Sequence, residues 1–276
     1  MDSRRLGRAE LSESDLDFVV AVTSPEAKEP ERIKAAIRAD ESFREAVVGD
    51  ERVFQSLSAD REAVVHVSPL LYFEVLLRKA RRELQVATHT VERSGGQRIP
   101  VFDSHEVTEL LKRPEVLEYL AELLASFTRV RSYTQPVRVR QGVWRRVRFN
   151  DADLDSLLQM CTMVSEEERL ALYKRIGDLC LFVLGVFPEH APADQRYPSG
   201  ALRPMVSSRL RRGVEEYELE GKRFYRLAGE HPAAKESELA GLFLLMHENF
   251  SVAKKPLAFI SQHYLQMRKQ TVFGQG

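Results

Sequence analysis

The fold is decided by the stretch SPLLYFEVLLRKARRELQVATHTV, residues 68–91. Ser68 followed by Pro69 is typical of a helix start, because serine caps the first N–H groups and proline has no N–H to satisfy there. Apolar residues then recur at spacings of three and four, which is the period of an amphipathic α-helix. The pattern predicts a helix of about six turns that begins at Pro69 and is closed by Ser94-Gly95-Gly96, where a loop to Pro100 begins.

The same period continues along most of the chain. Ser165 and Glu168 have the spacing of a capping box, in which serine caps a helix and a glutamate three residues later bonds back to it. Helix starts and apolar stripes predict further helices at Asp103–Leu111, Pro114–Phe127, Asp151 or Asp153 to Val164, Ser165–Leu184, Ser207–Ala228, Ala234–Asn249 and Pro256–Met267. The sequence therefore predicts an all-α fold, a multi-helix bundle or array of about nine or ten helices.

Residues 137–149 break this helical pattern. Valines alternate with arginines on both sides of Gln141-Gly142, and such alternation indicates a half-buried strand. A glycine between two such runs is typical of a hairpin turn. Pro136 precedes the first run, where it removes no central ladder bond. The sequence therefore predicts one arginine-rich β-hairpin within a helical protein.

The hairpin stretch also suggests how the chain is divided. A length of 276 residues suits one or two domains. We expect an N-terminal helical region at 1–128, the hairpin or a linker at 129–150, and a C-terminal helical region at 151–276. One continuous domain is the alternative.

Composition excludes several classes of protein. Lysine plus arginine and aspartate plus glutamate both number 41, so the formal net charge is zero, and 43% of residues are hydrophobic, which is too many for a disordered chain. Two cysteines exclude a disulfide-framed module and a four-cysteine zinc site. The first 15 residues contain no apolar segment, and the longest apolar run has nine residues where a membrane-spanning helix needs about 20. We expect a cytoplasmic protein without a signal peptide or membrane span.

Motifs for catalysis, cofactors or metals are not found in the sequence. His247-Glu248 resembles part of a helical zinc motif, but the second histidine would have to stand at position 251, which is Ser251. The chain has no nucleophile elbow, no phosphate-binding glycine loop and no dinucleotide fingerprint. Cys161 and Cys180 lie in apolar helical runs, where burial raises a thiol pKa. We therefore assign no catalytic, cofactor-binding or metal-binding residue, and expect no cofactor.

The arginine-rich hairpin is the strongest electrostatic feature of the sequence. Residues 129–148 contain seven arginines and no acidic residue. Three interpretations stay open, namely a solvated face of an exposed hairpin, a contact with an acidic protein surface, and a nucleic-acid contact in which arginines pair with phosphates and an aromatic ring stacks on a base. If the hairpin binds a charged partner, the candidate residues are Arg138, Arg140, Trp144, Arg145, Arg146 and Arg148.

Part of the C-terminal half resembles a known family. The residues that carry the resemblance are Gly177-Asp178, Phe182, Gly185-x-Phe187-Pro188-Glu189-His190 and Gly221-x-x-x-Tyr225-x-Leu227-Ala228. Together they are similar to an uncharacterised family of all-helical bacterial proteins with no known activity. The resemblance covers residues 165–265 and implies a helical fold and a prokaryotic cytosol. It assigns no site residue.

These observations favour an interaction or regulatory protein over an enzyme. The expected partner is another protein, the sequence leaves the oligomeric state open, and we expect no membrane contact. Nucleic-acid binding by the hairpin is the first alternative. A helical enzyme is the second, because helical folds can assemble a site from residues scattered along the chain.

Overall fold

Helices dominate the protein. The computed structural model describes residues 10–59, 66–94, 97–129, 132–140, 143–191, 212–266 and 269–273. Within these ranges the strands are confined to two sheets of two strands each. The predicted all-α fold with an arginine-rich hairpin is therefore confirmed.

The described helices range from 5 to 18 residues in length. The α-helices are α1 (Glu13–Thr23), α2 (Pro30–Ala39), α3 (Glu41–Val48), α4 (Glu51–Ala59), α5 (Pro69–Val86), α6 (Ser104–Leu111), α7 (Pro114–Ser126), α8 (Leu154–Cys161), α9 (Leu170–Val186), α10 (Val214–Glu230), α11 (Pro232–Glu236), α12 (Ala240–Glu248), α13 (Phe250–His263) and α14 (Lys269–Phe273). The strands are β1 (Thr90–Ser94), β2 (Gln97–Val101), β3 (Ser132–Arg140) and β4 (Val143–Asn150), and 3₁₀ turns occupy Glu166–Glu168 and Pro188–His190. β1 pairs with β2, and β3 with β4.

The chain divides into two compact units. Unit 1 comprises Met1–Thr90, Phe102–Val130 and Gln262–Gly276, and unit 2 comprises Val91–Val101 and Arg131–Ser261. Each unit contains residues from before and after the hairpin stretch. The three-part division expected from the sequence, at 129–150, stays a prediction.

Helix α5 begins where the sequence predicts and ends earlier. The Ser68 side chain accepts a hydrogen bond from the N–H of Leu71 at 3.2 Å, and Pro69 is the first helical residue. The helix ends at Val86 because Ala87 adopts an extended backbone conformation and β1 begins at Thr90. β-branched residues such as those at 88, 90 and 91 favour strands. The predicted loop to Pro100 is accordingly wrong in part, since residues 97–101 form β2.

A buried ion-pair network holds unit 1 together around Glu74 of α5. The Glu74 carboxylate is fully buried, and Arg44 of α3 donates to both of its oxygens, from Nε at 2.9 Å and from Nη2 at 2.7 Å. Arg78, one turn along α5, lies 2.8 Å from Glu74 and 3.0 Å from Glu45. Glu118 of α7 lies 3.6 Å from Arg44. The network therefore links α3, α5 and α7 through the carboxylate of Glu74, which is not exposed to water.

A second buried carboxylate joins α1 to the start of α5. Asp15 is fully buried and accepts hydrogen bonds from the N–H of Ser12 at 2.9 Å and from the N–H of Ser68 at 2.7 Å. The first bond completes a capping box at the start of α1. One side chain therefore satisfies backbone donors at the starts of two helices, the second of them 53 residues further along the chain than Asp15.

Three helix boundaries in unit 2 differ from the prediction. The Ser165 capping box is wrong: Glu166–Glu168 is a 3₁₀ turn without a side-chain cap, and α9 begins at Leu170. The helix predicted to end at Asn249 is broken into α11 and α12 near Glu238, whose φ of 59° is left-handed. Pro256, predicted to start a helix, lies inside α13. For the helix predicted from Ser207, residues 207–211 lie outside the described part and α10 begins at Val214.

Helices α9 and α10 approach closely because glycine stands at their contacts. A Cβ on Gly177 of α9 would lie 2.9 Å from the ring of Tyr225 of α10, and one on Gly221 of α10 would lie 2.9 Å from the Cβ of Cys180 of α9 and 2.4 Å from the ring of Phe250 of α13. Tyr225 is fully buried, and its hydroxyl donates to the buried carboxylate of Asp178 at 2.8 Å. The packing of unit 2 thus depends on glycines that let aromatic rings reach the neighbouring backbone.

Glu218 ties α10 to α13. Burial alone would raise the pKa of this carboxyl, but hydrogen bonds from Lys222 at 2.7 Å and from Ser251 at 2.5 Å outweigh burial, and the pKa falls from 4.5 to about 2. Lys254 adds an ion pair at 3.4 Å. The ionised form is therefore the one that the fold stabilises.

Loss of the Glu74 carboxylate should destabilise the protein strongly. We expect Glu74→Ala to lower the free energy of unfolding by about 3–5 kcal/mol, because it leaves Arg44 and Arg78 buried without their shared partner. Urea unfolding followed by circular dichroism measures the change. Glu51→Ala is the matched control, since Glu51 pairs with Lys79 at the surface and such pairs contribute little. Equal losses for the two variants would contradict the role assigned to Glu74.

The Glu218 cluster predicts a stability change in acid. Because the folded-state pKa is lowered, its contribution is complete above about pH 4.5 and is lost as pH falls towards 2. Glu218→Gln should cost about 1–2 kcal/mol at pH 7 and much less at pH 2, measured by urea unfolding at both pH values. Glu236→Gln, on the exposed side of α11, should behave like the wild type at both. A Glu218→Gln penalty that does not change with pH would argue against an ionised Glu218.

Candidate charged interface

The predicted hairpin exists, and its register is defined by backbone pairing. β3 and β4 run antiparallel, with Ser132 opposite Asn150 at the base and Arg140 opposite Val143 at the tip. Residues 141 and 142, the predicted turn, lie outside the described ranges. The ladder shifts between Arg138 and Arg140, as in a β-bulge.

This bulge decides which residues share a face of the ribbon. Residues directly opposite one another in an antiparallel pair lie on the same face. Arg138 pairs with Trp144, and the positions that follow at intervals of two on β4 are Arg146 and Arg148. We call Arg138, Trp144, Arg146 and Arg148 the arginine face. The ladder is regular from Ser132 to Arg138, and the bulge beyond Arg138 places Arg140 opposite Val143, on the other face of the ribbon.

The opposite face is mainly apolar. The pairs on it are Tyr133 with Phe149, Gln135 with Val147, Val137 with Arg145 and Arg140 with Val143. Of the six residues predicted as a charged-partner site, the register groups four on the arginine face and separates Arg140 and Arg145 from them. The side chains of all six lie outside the described part of the structure.

The arginine face concentrates positive charge over a short distance. Same-face neighbours on one strand are about 6.8 Å apart, and directly paired residues are about 5 Å apart across the ladder. The register therefore brings three arginine positions and one tryptophan position within a few residues of one another on two paired strands. Residues 129–148 contain no carboxylate that could neutralise them.

The base of the hairpin is anchored to the helices of unit 2. The Asn150 side chain accepts a hydrogen bond from the N–H of Ala152 at 2.8 Å. Asp151 is buried, its carbonyl accepts from Arg175 Nε at 3.0 Å, and its carboxylate lies 3.3 Å from Arg175 Nη2. The charge of Asp151 is thus matched by Arg175 of α9, so it does not reduce the charge of the arginine face. The sequence did not reveal this pair, because its members are 24 residues apart and neither belongs to a motif.

Burial keeps both thiols protonated at neutral pH. It raises the pKa of Cys161 to about 11 and raises that of Cys180 further. The raised thiol pKa expected from the apolar helical context is confirmed. Within the described ranges, no group of three or more histidine, cysteine, aspartate or glutamate residues has the geometry to hold a metal ion.

Two histidines have structural hydrogen bonds. His231 Nδ1 accepts from the N–H of Ala233 at 3.2 Å, so its Nε2 carries the proton and donates to the carbonyl of Glu166 at 2.8 Å. His247 Nδ1 lies 2.8 Å from the carbonyl of Lys222 and donates to it. Hydrogen bonds to the backbone therefore account for both imidazoles.

Part of the set of residues that carries the family resemblance is buried, whereas Glu189 and His190 are exposed. Asp178 accepts from Tyr225 and from Lys174, whose Nζ lies at 2.8 Å, while Gly177 makes room for the tyrosine ring. Tyr225 is fully buried and Asp178 nearly so. This arrangement explains the spacing of these residues by packing and defines no substrate site.

Comparison with known proteins finds no matching family model, no matching curated protein and no matching solved structure. The resemblance to a bacterial helical family therefore stays an expectation. A search of the described helices finds none with the length and apolar character needed to cross a membrane.

The anchor at the hairpin base is open to a direct test. Arg175→Met should lower the free energy of unfolding by about 1–3 kcal/mol, because it removes both contacts to Asp151. Amide hydrogen exchange at residues 145–150 should accelerate, because the base of the β3–β4 ladder loses its contact with α9. Arg212→Met is the control, because Arg212 pairs with the more exposed Asp155. Unchanged exchange in β4 would show that Arg175 does not hold the hairpin.

Proposed function

We propose that this chain is a non-enzymatic helical interaction protein that docks on an acidic surface of another protein through the arginine face. The observation that carries the proposal is the register of β3 and β4, which groups Arg138, Arg146 and Arg148 with Trp144. The helices of unit 2 serve as the scaffold that fixes the base of the ribbon. The expected setting is the cytosol, because both cysteines are free thiols and disulfides are rare there.

Arginine suits this task for a chemical reason. Its planar guanidinium pairs with a carboxylate through two parallel hydrogen bonds, and it is more weakly hydrated than an ammonium group. Tryptophan and arginine are also the residues that most often dominate the energy of protein interfaces. A face that combines Trp144 with three arginines therefore matches an acidic protein surface that has an apolar centre.

The zero net charge of the chain does not oppose this contact. Charges beyond about 8 Å are screened at physiological ionic strength, so the local field of the hairpin acts at contact range. Acidic residues elsewhere in the chain balance the seven arginines in the total. They reduce long-range attraction, which matters more for nucleic-acid binders than for a short-range protein contact.

Nucleic-acid binding is the second candidate function, and one observation favours it. Trp144 shares a face with arginines, which is typical of surfaces that stack a base while pairing with phosphates. The neutral net charge favours the protein partner instead. The same experiment separates the two.

Trp144 is the only tryptophan, so its fluorescence reports directly on the arginine face. The protein is titrated at low salt with poly-L-glutamate, with single-stranded oligonucleotide and with duplex. Arg138→Ala/Arg146→Ala should weaken poly-L-glutamate binding about tenfold or more, because it removes two of three arginines from this face. Arg140→Ala/Arg145→Ala carries the same charge change on the opposite face and should bind like the wild type.

Each outcome has a defined meaning. Binding of oligonucleotides but not poly-L-glutamate, with a slope near −0.9 per phosphate in log affinity against log salt for duplex, would transfer the function to nucleic acid. Equal losses for the two double variants would refute the arginine face. No fluorescence change with any probe would leave the hairpin as a solvated surface and end the proposal.

A further inference from the structure

Helix α10 carries an exposed stripe that the described residues of its own unit do not cover. Glu215, Leu219, Arg223, Arg226 and Glu230 follow one another at helical spacings of four, four, three and four, so they lie on one face. Leu219 is 68% exposed, and the side chains of Arg223, Arg226 and Glu230 are 58%, 55% and 61% exposed. The opposite side of the helix, which includes Phe224 and Tyr225, is buried in the core of unit 2.

The charges on this stripe are ordered along the helix. Glu215 and Glu216, both exposed, precede Leu219, whereas Arg223 and Arg226 follow it. Glu215 and Arg223 are each four residues from Leu219, which is about 6 Å along the axis. Between residues 215 and 223 this order is complementary to an antiparallel copy centred on Leu219, whereas Arg226 and Glu230 would fall beyond the N-terminal end of the partner helix, which begins at Val214.

We infer that α10 is a homotypic interaction surface, on which a second copy of this chain docks with its own α10 antiparallel and with Leu219 against Leu219. In that arrangement Glu215 of each copy faces Arg223 of the other, which gives two equivalent ion pairs around an apolar centre. An isologous contact of this kind closes on itself and forms a dimer. The surface is distinct from the arginine face, so the inference goes beyond the proposed function and does not depend on it.

Contacts within the chain compete only weakly with this pairing. Arg223 lies 3.6 Å from Glu220, and Arg226 lies 3.9 Å from Glu230. The Arg226–Glu230 pair is solvent-exposed on both sides and contributes little to stability, whereas in the other pair Glu220 is only 25% exposed. Leu219 has no such alternative and gains by leaving water. A single helix pair buries less than a standard interface, so the dimer is weak and reversible.

Charge-reversal variants test the pairing of Glu215 with Arg223, and the double reversal, which restores opposite charges, is the control. Sedimentation equilibrium is run on the full chain from about 10 μM to about 1 mM, the range in which a small interface dissociates. Glu215→Arg and Arg223→Glu should each weaken the dimer about tenfold or more, because each turns two attractive contacts into two repulsive ones. The double variant Glu215→Arg/Arg223→Glu restores opposite charges in both contacts and should dimerise like the wild type.

Mixing the two single variants is a second way to restore the dimer. Glu215→Arg and Arg223→Glu are each expected to be monomeric alone, but together they should form a heterodimer, since every contact then joins opposite charges. Glu236→Arg on α11 makes the same charge change off the stripe and should leave the dimer intact. Leu219→Ala should weaken it. Circular dichroism and thermal unfolding of each variant verify that α10 is still folded.

Three results would overturn the inference. They are a wild-type chain that stays monomeric at about 1 mM, single reversals that dimerise like the wild type, and a double variant or mixture that fails to recover the dimer although each chain is folded. None of these results bears on the arginine face, which is measured separately by Trp144 fluorescence.

Discussion

A carboxylate that leaves water must find donors inside the protein, and this requirement shapes both units. Among the described residues, the buried acidic side chains are Asp15, Glu74, Asp151 and Asp178. Each is matched by a group on another element: Ser68 N–H, Arg44, Arg175 and Tyr225, respectively. Burying such a charge without its partner would cost several kcal/mol, so each pair fixes which helices lie side by side. Apolar helix faces alone would determine less strictly which helices lie side by side.

Much of the fold could be predicted from the sequence, because a helix is determined mainly by residues that are close together in the chain. Pro69 and Pro114 mark helix starts through the chemistry of one or two residues, and a helix also follows Asp103, although its side chain makes no capping hydrogen bond. The predictions are wrong where the conformation of a segment does not depend on its own residues alone. Ser165 has capping spacing but is followed by a 3₁₀ turn, and α5 stops early because residues 90–94 pair with β2.

The candidate interface was predicted in composition but not in arrangement. Alternation and Gly142 were sufficient to predict a hairpin, and the arginines were visible in the sequence. Alternation alone, however, assumes a regular ladder, and the bulge between Arg138 and Arg140 changes which residues share a face. The α10 stripe was missed for another reason: exposure of Leu219 depends on what covers the helix, and this is decided by residues far away in the sequence.

A two-stranded ribbon has a consequence for solubility. Each strand of the β3–β4 sheet has one edge at which no further strand of that sheet pairs within the described residues, and open edges attract strands from other molecules. Seven like charges in and beside the ribbon oppose such strand addition, because two hairpins brought edge to edge would repel each other. The arginines therefore protect the protein from edge-to-edge aggregation when it is concentrated, and salt, which screens this repulsion, would weaken the protection.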